Sequence, residues 1–334
     1  MDEISNSHLP APPGEPLSSP PATPAHPIHN IFIGPNGLRA GWRGLIFLAL
    51  FVITLFFVSI CFVTIAPSFF QRHRFLSPAL IIANEVLYLM ALFFVLFVIS
   101  RLEHRSIGSY GLPAQHAFKS TFWAGAAVGF VSLTLLLLAI RTLHGFYFGS
   151  IALSGRALLH FTVLWAIAFL MVGISEEYIF RGYMQFVLTQ GIGFWPAAIV
   201  TSLLFGLVHK TNQGESLAGL AAVVAVGLLF CLTLRRTGNL WFAVGFHAAW
   251  DYAQTFVYGV PDSGEPGIGH LFNSRLEGPG WLTGGSVGPE GSWLSFVVLA
   301  LAALFVAWLY PETKYPEPET ASASSNPGPA PVMN

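Results

Sequence analysis

Eight apolar stretches recur along this chain of 334 residues, at about 42–66, 77–100, 121–141, 157–175, 194–209, 216–234, 239–258 and 292–310. Each is near the ~20 residues that a membrane-spanning helix requires. Only 9% of the residues are charged while 54% are hydrophobic, a balance that no ordinary soluble domain shows. The predicted fold is therefore all-α: a polytopic membrane helical bundle of about eight transmembrane helices over residues 39–310. The fifth stretch is short and ends on His209, which predicts a helix that stops inside the protein.

Residues 1–38 carry Pro repeatedly among Ser, Ala and His, and residues 311–334 repeat that composition. Neither segment can bury a core, so both are expected to be disordered tails. No basic segment followed by an apolar one opens the chain, so a cleaved secretory signal is not indicated. Eight spans place both tails on one face. Nine Lys and Arg on that face against six on the other predict tails in the cytoplasm and an integral protein of the cell membrane. The net charge of −1, with cations scattered singly or in pairs, offers no basic field for nucleic acid. Cys61 and Cys231 lie far apart inside apolar runs and read as small buried hydrophobes, not as a disulfide or metal site. The small residues Ala124 to Gly129, and Gly219, Ala222 and Gly227, read as close helix contact faces. The loop from Gly259 to Ser292 is the longest between spans and is expected to form a flexible cap.

Against this apolar background, acids and histidines within the spans need a chemical reason, because a charge at a helix centre costs about 2.5–3.5 kcal/mol on insertion scales. Three elements stand out. The first is Ser175-Glu176-Glu177-Tyr178-Ile179-Phe180-Arg181. On a helix Glu177 and Arg181 face each other, while Glu176 is turned about 100° away. Arg181 is expected to hold Glu177 and leave Glu176 free as a general base. The second is Phe205-Gly206-Leu207-Val208-His209, in which Phe205 lies one turn before the imidazole and fixes its orientation. The third is His247-Ala248-Ala249-Trp250-Asp251, whose two ends project into one space. Glu176, His209, His247 and Asp251 thus supply nitrogen and oxygen groups from three helices, which is how bundles build hydrolytic and metal sites. Two mechanisms fit. Either these four hold a divalent metal such as Zn²⁺ that acidifies a bound water, or Glu176 with His209 activates water directly while His247 and its neighbour stabilise the oxyanion. The acid Glu85, beside Asn84 in the second span, lies outside the three elements.

Glu-Glu-x-x-x-Arg, then Phe-x-x-x-His, then His-x-x-x-Asn or Asp on successive membrane helices resembles the CPBP family, which comprises CAAX prenyl endopeptidases and bacteriocin-processing or bacteriocin-immunity (Abi) proteins. The similarity covers about Leu158 to Thr255. It implies an intramembrane endopeptidase with its protease-like core at 157–258, in which Glu176 and His209 are the water-activating pair, His247 a third essential residue, and Glu177 and Arg181 their support. The substrate it implies is a membrane-associated peptide or protein, of CAAX type if the prenyl branch applies, and membrane lipid surrounds the site. The prenyl branch has Asn where this chain has Asp251. An amide can donate to an oxyanion and an ionised carboxylate cannot, so Asp251 ligates a metal, orients His247 or stays protonated. Two other readings compete: a non-proteolytic, immunity-like membrane protein that binds a partner through its loops, and a proton-coupled transporter in which the same acids and imidazoles form a relay. The lack of an evident internal repeat counts against the transporter.

Overall fold

The computed structural model describes residues 29–315, apart from 35–36, 73–75, 213 and 265. The chain divides into a unit ending at Arg39 and a much larger unit from Ala40 onward. The described part of the first unit is a helical turn, His29–Phe32, followed by a tight antiparallel pairing of Ile33–Gly34 with Gly37–Leu38. The tails expected at 1–38 and 311–334 lie for the most part outside the described residues. Residues 311–315 are described and belong to the second unit, where the Lys314 and Tyr315 amides donate to the Arg235 carbonyl.

The second unit is built from helices, and every one of the eight apolar stretches forms one. We label them α1 (Ala40–Ile65), α2 (Pro78–Leu102), α3 (Ser120–Thr142), α4 (Gly155–Glu177), α5 (Gln185–Ile192), α6 (Phe194–His209), α7 (Leu217–Thr237), α8 (Trp241–Asp251) and α9 (Trp293–Leu309). The stretch 157–175 supplies α4, which runs on through a π-helical segment, Tyr178–Met184, into α5, so that Gly155–Ile192 is one long rod with a kink at Gly182 (φ −79°, ψ −109°). Five of the described helices are long and apolar enough to cross a membrane, namely α1, α2, α3, α7 and this rod. The remaining three apolar helices are shorter than the expected spans. α6 has 16 residues and α9 has 17. α8 has 11 residues and continues into a second π-helical segment, Tyr252–Val257. At 1.5 Å per residue α6 reaches only about 24 Å, short of the ~30 Å hydrocarbon layer, and its terminal residue His209 is half-buried.

The helix starts follow from local chemistry. Ser77, Ser216 and Ser292 precede α2, α7 and α9, and each hydroxyl accepts a first-turn amide, from Leu80, Gly219 and Leu294 respectively. Pro78 opens α2, where its missing N–H costs nothing. Gly238 closes α7 at φ +81°, in the left-handed conformation that favours glycine.

Helices α3 and α8 pack backbone against backbone, and three glycines make this possible. A Cβ at Gly125 or Gly129 would collide with the carbonyl oxygens of Phe242 and Phe246, and one at Gly245 with that of Phe122. The small-residue face expected at 124–129 is therefore a close helix contact, and it fixes the height and rotation of the helix that carries His247 and Asp251. Gly227 has another purpose: a Cβ there would collide with the Arg181 guanidinium. Cys231 is buried, as expected, whereas Cys61 is exposed on the outer face of α1.

The loop 259–292 is more ordered than a flexible cap. Arg275–Leu276 pairs antiparallel with Phe146–Tyr147, Ile151 bridges to Phe272, and Gly280–Thr283 forms a helical turn. Its two ends converge on the π-helical continuation of α8, where the Gln254 amide donates to the Pro261 carbonyl at 2.7 Å and also to the Glu290 carboxylate.

Candidate active site

The last turn of α4 delivers Glu176 and Glu177, and the wider π turn that follows keeps Arg181 on the same face as Glu177. Both partners are fully buried, with Arg181 Nη1 3.2 Å from Glu177 Oε1. The guanidinium also lies over the Phe205 ring, 4.1 Å from its centroid, and between the rings of Phe180 and Phe230 at longer range. Gly227 leaves the room that this group needs.

His247 is the hub. Its Nδ1 lies 3.1 Å from Glu177 Oε1, the same oxygen that receives Arg181. Its Nε2 faces Asp251 Oδ2 at 3.4 Å and Glu176 Oε2 at 3.7 Å. Carboxylate oxygens therefore stand at both ring nitrogens, an arrangement that a doubly protonated ring satisfies. Phe230 stacks on the imidazole at 5.6 Å and 25°. The expected facing pairs Glu177/Arg181 and His247/Asp251 are thus both present, and Glu177 has a further part as the bridge between Arg181 and His247.

His209 closes the group from α6. Its Nδ1 lies 2.7 Å from the Phe205 carbonyl oxygen, and its ring meets the Phe205 ring edge-on at 4.5 Å. Donation from Nδ1 to that carbonyl leaves Nε2 as the acceptor. The Phe205 ring also meets the His247 ring edge-on, with 6.4 Å between centroids. Phe205, His209, His247 and Asp251 line one cavity of about 80 Å³. Glu176 reaches His247 Nε2, so its contact in this arrangement is with His247, whereas the sequence pairs it with His209.

Two lining residues have no place in the three motifs. Asp262 and Glu290, from the two ends of the loop, complete the cavity wall. Asp262 accepts the Thr255 hydroxyl at 2.8 Å, and Glu290 accepts the Ser263 amide at 2.6 Å. Burial pushes the Asp262 carboxyl up to about 6, against the pull of the Thr255 hydroxyl and the His247 ring, while the Glu176 charge adds to the rise. Burial, then the charge of Asp262, hold Glu290 well above the usual carboxylate range. The one sequence signal for them is that the Gly- and Pro-rich loop carries acids. Glu85, also outside the motifs, is buried in α2 and accepts the hydroxyl of Ser175, the residue before Glu176.

Among the described residues, no three His, Cys, Asp or Glu side chains are arranged as a cation's ligand set. The Nδ1 atoms of His209 and His247 are engaged by the Phe205 carbonyl and by Glu177, and the Phe205 ring meets both imidazoles edge-on. The proposed Zn²⁺ set of Glu176, His209, His247 and Asp251 does not fit in this arrangement.

Residues 157–253 match the family model described as type II CAAX prenyl endopeptidase Rce1-like. No curated protein matches the chain, and no solved structure does. The matched segment holds Glu176, Glu177, Arg181, Phe205, His209, His247 and Asp251, all of which the motif resemblance singled out. That segment is thus similar to the type II CAAX prenyl endopeptidase Rce1-like family, and the chain that carries it is an integral multi-pass membrane protein of all-α fold.

Proposed function

We propose that the protein is an intramembrane endopeptidase that cleaves a membrane-associated, CAAX-type substrate by direct activation of water. The observation that carries this reading is the double engagement of Glu177. By gripping Arg181 on one side and His247 Nδ1 on the other, it fixes the imidazole with Nε2 toward Glu176 and Asp251. Such a relay orients a catalytic imidazole and stabilises its protonated form.

In this reading Glu176 takes a proton from a water that His209 Nε2 orients as a second acceptor. The resulting hydroxide adds to the scissile carbonyl carbon, and His247 Nε2–H donates to the oxyanion that forms. Glu176 passes its proton to the amide nitrogen, the C–N bond breaks to give a carboxylic acid and an amine, and the acid's proton passes to the amine, so that a carboxylate and an ammonium group leave. Asp251 orients His247 from the side opposite Glu177. Asp262 and Glu290 latch the loop over the cavity and keep bulk water from the reacting atoms. The Lys and Arg distribution supports a reading in which both tails lie in the cytoplasm.

The test is a panel of prenylated and unprenylated peptides presented to the purified protein in vesicles, with new peptide termini read by mass spectrometry. Cleavage of the prenylated set at one bond supports the reading. Failure to cleave any member, together with solute flux across sealed vesicles, would favour the relay of a transporter instead.

A further inference from the structure

A second cavity, much larger than the first, opens at the other end of the bundle. Its volume is about 1140 Å³, and its wall combines Leu89 and Phe93 of α2, Ile174 and Phe186 of the long rod, and Trp241 at the start of α8. Arg105 and Lys314 stand among its polar lining residues, and no Asp or Glu lines it. Glu103, close to Arg105 in sequence, is already engaged by Arg43 at 2.7 Å and by the hydroxyls of Tyr110 and Tyr183. Among the described residues neither Arg105 nor Lys314 forms an ion pair; Arg105 only stacks over Phe186, at 5.2 Å.

The dimensions match half a bilayer. Leu89 lies about 20 Å from Leu102, the last residue of α2, at 1.5 Å per residue, a length comparable to one leaflet's ~15 Å of hydrocarbon with its headgroup layer. Phe93 is 40% exposed, which joins the groove to the lipid-facing surface of α2. Two cations at the membrane end of an apolar groove between helices are the arrangement that takes an anionic lipid headgroup.

We infer that this groove binds one anionic phospholipid, with its phosphate at Arg105 and Lys314 and its acyl chains along Leu89, Phe93 and Ile174. The inference is independent of the peptidase reading. It is tested with the full chain in nanodiscs of phosphatidylcholine alone or mixed with phosphatidylglycerol, followed by native mass spectrometry of retained lipid. One phosphatidylglycerol should be retained in preference to phosphatidylcholine. The double substitution Arg105→Gln with Lys314→Gln should weaken that retention on the order of thirtyfold, whereas Arg141→Gln at the far face should not. Equal retention of the two lipids, or unchanged retention in the double variant, would overturn the inference. So would stabilisation by glycerol phosphate, which lacks acyl chains, as strong as that by phosphatidylglycerol.

Discussion

Glu177 Oε1 lies 3.2 Å from Arg181 Nη1 and 3.1 Å from His247 Nδ1, so one buried oxygen joins the guanidinium of the long rod to the imidazole of α8. The second carboxylate oxygen has no partner among the described residues, and neither do Arg181 Nε and Nη2. The pair is held in place by enclosure and by the Phe205 face as much as by hydrogen bonds.

Breaking this pair from one side leaves a buried charge uncompensated. Arg181→Ala should destabilise the protein by about 3–5 kcal/mol. Arg181→Lys should recover little, because an ammonium cannot reproduce the planar contact with Phe205. Thermal unfolding in detergent measures both. Glu177→Gln keeps the shape and should lower kcat more than it raises KM, since His247 loses the charge that supports it.

Two glycines offer a contrasting pair. Gly129→Ala forces α3 off the Phe246 carbonyl, and Gly227→Ala pushes on the Arg181 guanidinium. Each should cost about 1–3 kcal/mol as an overpacked site. Only Gly227→Ala should be rescued in part by Arg181→Ala, and a double-mutant cycle on melting temperature reads that coupling.

The Asp262 carboxyl is raised from 3.8 to about 6 in the folded protein, so folding favours its protonated form. Its contribution to stability is complete below the unfolded value and is lost as pH rises through about 6. Melting temperature should therefore fall between these pH values in the wild type. The slope should flatten in Asp262→Asn, which also removes the charge that raises Glu290.

Because the candidate ligands are not arranged as a cation's ligand set among the described residues, chelator treatment should leave cleavage unchanged, and metal analysis of the active protein should find no stoichiometric ion. Loss of cleavage on chelation, restored by Zn²⁺, would require a rearranged site.

The pairs Glu177/Arg181 and His247/Asp251 could be read directly from the chain because helical periodicity alone brings residues four apart together. The α3 face at Gly125 and Gly129 was legible for the same reason, since small residues four apart predict close backbone approach. The bridge from Glu177 to His247 was not, because which of two adjacent acids turns to a neighbouring helix depends on that helix's rotation. Asp262, Glu290 and Phe230 were also missed: the first two depend on the course of a long loop, and Phe230 is one apolar residue among many on α7. The short α6, α8 and α9 show why eight apolar stretches yield only five helices of full spanning length.

The most direct test is the rate of peptide cleavage by Glu176→Gln in reconstituted vesicles, measured beside wild type at equal membrane insertion. The account predicts that cleavage disappears, because the amide cannot take the proton of the attacking water. Wild-type turnover in this variant would contradict the assignment of Glu176, and with it the proposed chemistry of the site.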